Sequence, residues 1–190
     1  PRAFREARIA HIPEDRLLNG LAKSVSIEEN LIIDRYYLEP FTKNGFLKPN
    51  EIDLNSRKLI TDYGIKTKDG KSSVDSLSGG NMQKVIVARE FSSSPKLLIA
   101  AQPTRGVDIG AIEFIHQQLI DKRTNGLSIL LVSADLQEVM KLSDKIIVMF
   151  DGEIVAVFKN SLNLTEETIG MYMLGAKKQS KDDMEEVLLH

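Results

Sequence analysis

The sequence has no cysteine and no tryptophan among its 190 residues, and only 6% of them are aromatic. Without thiols, disulfides, thiolate metal sites and cysteine nucleophiles are excluded, and a reducing, cytoplasmic setting fits. Histidine is nearly as scarce. His11, His116 and His190 are too scattered to form a metal cluster and read as surface or structural residues. No apolar run approaches the ~20 residues that a membrane-spanning helix needs. Neither sign of charge dominates: 25 Lys and Arg face 27 Asp and Glu for a net charge of -2, so no basic field points to nucleic acid. The opening Pro1-Arg2-Ala3-Phe4 has neither an initiator Met nor the apolar core of a signal peptide, and reads as the start of an excised piece of a longer protein. What is present, 42% apolar and 27% charged residues, is the composition of an ordinary globular protein with enough chain to bury a core.

Two zones differ in pattern. Residues 30 to 95 are polar and helix-like, whereas residues 96 to 158 alternate apolar runs with helical periodicity. Lys96-Leu97-Leu98-Ile99-Ala100-Ala101, bounded by Pro95 and Pro103, predicts a strand buried on both faces. Asp108 is placed to cap a helix whose Ile112, Ile115 and Leu119 keep the 3.6 period, and Asn125-Gly126 ends it. Ser128 to Ser133 predicts the next buried strand. Asp135 and Glu138 have capping-box spacing for a short helix through Leu142, and a strand follows at Lys145 to Phe150. Asp151-Gly152 then turns the chain into a hairpin partner at Ile154 to Phe158. This strand–helix alternation implies right-handed crossovers and an α/β fold with a mostly parallel sheet. Beyond Asn160 an amphipathic helix is expected around Glu166 to Leu174, and the charged run Lys177 to Asp183 reads as solvated and mobile. The chain has no internal repeat and no low-complexity segment.

One motif carries chemistry. Leu77-Ser78-Gly79-Gly80-Asn81-Met82-Gln83-Lys84 opens a helix that continues through Val85, Ile86, Ala88 and Phe91. A serine and two glycines at a helix start leave backbone N–H groups unpaired, at the positive end of the dipole, with no side chains to keep a phosphate away. The plainer alternative is a glycine turn before a helix.

The neighbours of this motif carry a resemblance. Pro103-Thr104-Arg105-Gly106-Val107-Asp108 follows one buried strand, Ser133-Ala134-Asp135-Leu136 follows the next, and His11-Ile12-Pro13-Glu14-Asp15-Arg16 lies upstream. In this order, over nearly the whole chain, the sequence resembles the nucleotide-binding domain of ATP-binding-cassette transporters. Leu77 to Gln83 looks like that family's signature sequence, Leu97 to Gln102 like its Walker B strand and Arg105 to Asp108 like its D-loop. Glu14 stands where the family has its Q-loop glutamine; its carboxylate is suited either to a metal or water contact or to a plain salt bridge with Arg16. The tetrad from Pro13 to Arg16 and the phrase from Gly79 to Lys84 resemble the second half of the fused, two-cassette ATPases of simple-sugar and nucleoside importers. The resemblance implies a partial P-loop NTPase core. Residues 1–29 and 96–160 would form that core, 30–95 a helical signature subdomain, and 161–190 a C-terminal helix and tail.

Several family features are missing. The Walker A pattern, Gly-x-x-x-x-Gly-Lys-Ser/Thr, occurs nowhere; Gly70-Lys71-Ser72 has its nearest earlier glycine, Gly64, one residue out of register and reads as the loop before the signature. Where the family has an Mg²⁺-binding Asp and a water-polarising Glu stand Ala101 and Gln102, and Ala134 replaces its switch histidine. In the family, each ATP lies between one cassette's Walker A loop and the other's signature. The resemblance therefore implies a degenerate cassette whose Ser78, Gly79, Gly80 and Gln83, with Asp108 and Glu14 nearby, serve ATP and Mg²⁺ held in the complete assembly by a partner cassette of the same polypeptide. It further implies membrane permease subunits as partners, a peripheral place on the cytoplasmic face of the membrane, and an aromatic patch (Tyr36, Tyr37, Leu38, Pro40, Phe41, Phe46) that is either core or docking surface. The alternatives are a non-transport cassette protein and a scaffold without a nucleotide role.

Overall fold

The computed structural model describes residues 2–189, which form two compact units divided between Val132 and Ser133. In the first, α1 (Arg2–Glu6) leads into β1 (Ile9–Ile12), a π-helical turn at Arg16–Gly20 and α2 (Ile27–Ile32). Ser26 and Glu29 close a capping box at the start of α2. A two-residue ribbon, β2 (Thr42–Lys43) with β3 (Phe46–Leu47), precedes α3 (Pro49–Asp62), which begins on proline, the residue best tolerated at a first helical position. Then come α4 (Gly79–Ser92), β4 (Leu97–Ala101), α5 (Ile109–Thr124) and β5 (Ser128–Val132).

The expected parallel sheet is present as β1-β4-β5 with β4 central, in register from Ile9 against Leu97 and from Leu97 against Ser128. Ala10, Ile12, Leu98 and Ala100 are fully buried, and α4 packs against β1. From Val85 to Phe91 every residue of α4 is buried, so this helix is the core of the unit rather than a surface helix. Fully burying each of its Val and Ile side chains contributes ~1.5–3 kcal/mol, so the core anchors the helix and leaves its N-terminus free to serve the surface. β5, expected as a buried strand, has no buried residue, because it is an edge of this three-stranded sheet; Leu130 and Val132 are about half exposed.

In the second unit Asp135 caps α6 (Leu136–Leu142), accepting from the N–H groups of Gln137 and Glu138. The reciprocal half of a capping box is not formed: the Asp135 N–H donates to Ser133 Oγ at 3.0 Å, and Glu138 is buried. β6 (Lys145–Phe150) and β7 (Glu153–Lys159) form the expected antiparallel hairpin. At its turn Asp151 (φ 48) and Gly152 (φ 77) take the left-handed pair that closes a two-residue hairpin. Ile146, Val148, Val155, Ala156 and Ile169 of α7 (Glu166–Met173) make this unit's core.

The run from Lys177 to Asp183 is solvated as expected, but it is tied down. The Gln179 N–H donates to the Val155 carbonyl at 2.9 Å and its side-chain oxygen accepts from the Val157 N–H at 2.8 Å, which covers the free edge of β7. α8 (Lys181–Leu189) follows and packs against β7. Polar composition signals solvation, and the unpaired strand edge that captures Gln179 is invisible in it.

Candidate functional site

At the start of α4, Ser78 is an exposed N-cap in extended conformation, its Oγ accepting from the Asn81 side-chain amide at 2.9 Å and the Asn81 N–H at 3.4 Å. No acidic residue stands in the first turn, so neither the unpaired N–H groups nor the positive end of the dipole is neutralised from within the helix. Both glycines turn toward the chain itself. A Cβ at Gly79 would lie 3.0 Å from Arg16 Nη2, and one at Gly80 would lie 2.7 Å from Asp108 Oδ2 and 3.0 Å from Ala111 Cβ. A side chain at Gly80 would thus crowd the Asp108 carboxylate and Ala111, while one at Gly79 would press on the end of a flexible arginine.

Three segments distant in sequence converge here. Asp15 caps the π-helical turn by accepting from the Leu17 and Leu18 N–H groups, which hold its carboxyl below the usual carboxylate range. Arg16, next in sequence, donates through Nη1 to the Arg105 carbonyl (2.7 Å) and through Nη2 to the Gly106 carbonyl (2.9 Å). Glu14 pairs with the Arg105 side chain and not with Arg16, because the Arg16 guanidinium is engaged by the backbone. Gly106 has φ +65, and Asp108 caps α5 by accepting from the Ala111 N–H at 2.9 Å. Gln83, one turn into α4, is buried, and its amide donates to the Pro103 carbonyl at 2.7 Å, tying the helix to the chain after β4. Gly70 and Ser72 offer their carbonyls to the N–H groups of Glu28 and Ile27 at the start of α2.

Ala101 ends β4 opposite Val132, and Gln102 extends the ladder by one bond, its N–H donating to the Val132 carbonyl at 2.7 Å. Gln102 has φ 49, a left-handed conformation uncommon for a residue with a side chain. These two residues do not suit Mg²⁺: alanine offers no oxygen, and a neutral amide is a poor substitute for a carboxylate on a hard dication. Among the described residues no group of three His, Asp or Glu side chains is placed to hold a metal ion. Ala134 lies in the second unit, in the bend before Asp135. Of the histidines, His11 is exposed on β1, His116 is buried in α5 and His190 lies outside the described residues. Of the aromatic patch, Phe41 is buried with Ile32 and Ile52, while Tyr36, Leu38 and Phe46 are exposed.

The other end of α4 holds a charge cluster that sequence reasoning missed. Glu90 is fully buried, paired through both oxygens with Arg5, bonded by Arg89 Nε at 2.9 Å and by the His11 N–H at 3.0 Å. Burial alone would raise its pKa, but these donors and the two guanidinium charges hold it below the ordinary glutamate value. Arg5 also reaches Asp34 at 3.5 Å, and there burial prevails and raises the aspartate. The available signal was the pair Arg89-Glu90 inside an otherwise apolar helix stretch, since charges are almost never buried unpaired.

Solved structures with this arrangement are ATP-binding cassettes. The cassette MJ0796 in a dimeric state bound to ADP and Pi aligns with a TM-score of 0.66 over 84% of this chain and 66% of its own, at 22% identity. A nucleotide-free cassette from an ABC transporter gives 0.67 over 97% of this chain and 70% of its own, also at 22% identity. The chain has the ATP-binding-cassette fold. Its homologues are nucleoside and sugar import ATP-binding proteins. The cassette is 45% identical over 179 residues to the guanosine import ATP-binding protein NupO of Bacillus subtilis, covering 94% of this chain and 35% of that protein. It is 41% identical over 175 residues to the nucleoside import ATP-binding protein NupA of Lactococcus lactis, covering 92% of this chain and 34% of that protein. A ribose import ATP-binding protein, RbsA of Shouchella clausii, is 35% identical over 91% of this chain and 34% of its own length. The cassette thus spans about a third of these relatives. No family model matches the sequence.

Proposed function

We propose that this cassette works within an importer ATPase for a nucleoside or simple sugar, supplying the signature half of an ATP site whose other half belongs to a partner cassette of the same polypeptide. The observation that carries this reading is a contrast within one unit: an exposed, Ser78-capped helix start free of acidic residues, against a β4 end where Ala101 and Gln102 offer neither a metal ligand nor a base. In this reading the Ser78 hydroxyl and the first-turn N–H groups of α4 meet the γ-phosphate of ATP held by the partner, and Asp108 lines the shared boundary. On the same reading the partner also holds Mg²⁺, which Ala101 and Gln102 do not suit. Nucleosides are favoured as cargo because the nucleoside-import relatives match at 45% and 41% against 35% for the ribose-import relative. The assembly lies on the cytoplasmic face of the membrane through permease subunits; no helix among the described residues is long and apolar enough to cross a membrane.

The close packing of Gly79 and Gly80 against Arg16 and Asp108 favours a second reading, in which the motif is structural and the cassette a scaffold. Ser78→Arg in the full-length, assembled transporter separates the two. Ser78 is exposed, so the fold survives, while the long side chain occupies the phosphate's space. Loss of one preorganised donor costs about 10²–10³ in rate, and a steric block is expected to cost at least that. Near-normal ATPase and uptake leave only the scaffold.

A further inference from the structure

We propose that Arg16 is a positioning residue for the signature half-site, holding the start of α4 against the turn from Arg105 to Asp108. This rests on the trans-acting reading given above. The argument begins with geometry: one planar guanidinium spans two successive carbonyls, Arg105 at 2.7 Å and Gly106 at 2.9 Å, and its Nη2 also lies where a Cβ on Gly79 would approach to 3.0 Å. Arg16 thus lies between the D-loop-like turn it grips and the start of α4, and near Gly79 it adds a second link to the one made by the buried Gln83–Pro103 bond.

Its own anchorage is firm. Asp15 caps the turn that begins with Arg16, while the exposed Glu14–Arg105 pair beside it adds little. Electrostatics argues against a role in helix stability, because a cation beside a helix N-terminus opposes the dipole. The contact is better explained by what it positions. Lysine is no substitute, since a point charge on a flexible stem does not bridge two carbonyls in a fixed fork. Gly79 becomes part of the same device: an added methyl forces Arg16 to give way and loosens its bond to Gly106.

The test is steady-state ATPase of the full-length transporter assembled with its permease, with Ser78→Arg as the control for the underlying reading. Arg16→Ala is expected to lower kcat about ten- to hundredfold, the scale set by ångström misplacement of a group at a reacting centre. KM for ATP is expected to stay within about twofold, because the nucleotide is held by the partner. Arg16→Lys, which keeps the stem and the charge and serves if the alanine variant fails to assemble, is expected to show the same loss. Gly79→Ala is expected to be harmful alone and to add little in the Arg16→Ala background, the non-additivity of residues acting as one unit. A kcat near wild type for Arg16→Ala, rescue by Lys, or a rise in KM that accounts for the loss each overturns the proposal. If Ser78→Arg also retains activity, the trans-acting reading falls with it; if Ser78→Arg is dead while Arg16→Ala is normal, only the role of Arg16 is lost.

Discussion

The two ends of α4 solve opposite problems with the same helix. At its start, an exposed Ser78 caps the helix and two glycines follow with no acidic residue in the first turn; at its end, Glu90 is sealed among Arg5, Arg89 and a backbone N–H. The buried end fixes the helix through charge pairing that solvent screens poorly, and the apolar middle from Val85 to Ala88 transmits that rigidity to the exposed end. A helix start presented to a partner is useful only if the other end does not move.

This comparison is easiest to break at the buried end. Glu90→Ala removes the central member of a buried ionic cluster, leaving Arg89 without a carboxylate and Arg5 with Asp34 alone, which costs about 3–5 kcal/mol. Chemical denaturation checks it, and a loss below about 1 kcal/mol would mean that water reaches the cluster. Next in size, Gln83→Ala strands the buried Pro103 carbonyl and is expected to cost about 1–3 kcal/mol, read by the same titration.

Acidity sharpens the contrast within the cluster. Glu90 has a folded pKa below the ordinary 4.5, so its contribution is complete above that value and is lost as pH falls through the folded pKa. The stability gap between wild type and Glu90→Gln is therefore expected to be widest near neutrality and to close in acid. Asp34 has the opposite sign: its pKa is raised and one carboxyl oxygen is buried without a hydrogen-bond partner, so the ionised form costs stability above that pKa. Asp34→Asn is expected to be neutral or slightly stabilising at pH 7, and a large loss would mean that the Arg5 contact outweighs desolvation. Smallest of all is Glu14→Gln: both partners of the Glu14–Arg105 pair are more than half exposed, and screened pairs of this kind contribute about 0–1 kcal/mol.

What the sequence made legible follows the strength of local signals. β4 to β7 were readable to within about a residue, because apolar runs bounded by proline, Asn-Gly or Asp-Gly leave little choice of boundary. β1 was not readable, since Ile9-Ala10-His11-Ile12 is too short to stand out and becomes a strand only beside β4. The capping box Ser26-x-x-Glu29 announced α2 and was overlooked. That Ser78 opens α4 and Asp108 opens α5 was legible in the sequence, but the directions their neighbours face were not. That Glu14 pairs with an arginine 91 residues away, passing over one two residues away, follows from Arg16 being occupied by two carbonyls, a tertiary fact with no local signature.

Repairing the end of β4 addresses the same contrast from the other side. Ala101→Asp with Gln102→Glu in this chain alone is expected to give no phosphate release, since neither group meets a nucleotide the chain can hold; turnover would mean that binding determinants lie elsewhere. The most direct test of the central claim compares two substitutions in one preparation: ATPase of the full-length, assembled transporter carrying either Ser78→Arg or Gln102→Glu. The trans-acting account predicts a loss of at least about a hundredfold for Ser78→Arg and little change for Gln102→Glu. Near-wild-type turnover for Ser78→Arg, or a large change for Gln102→Glu, would contradict it.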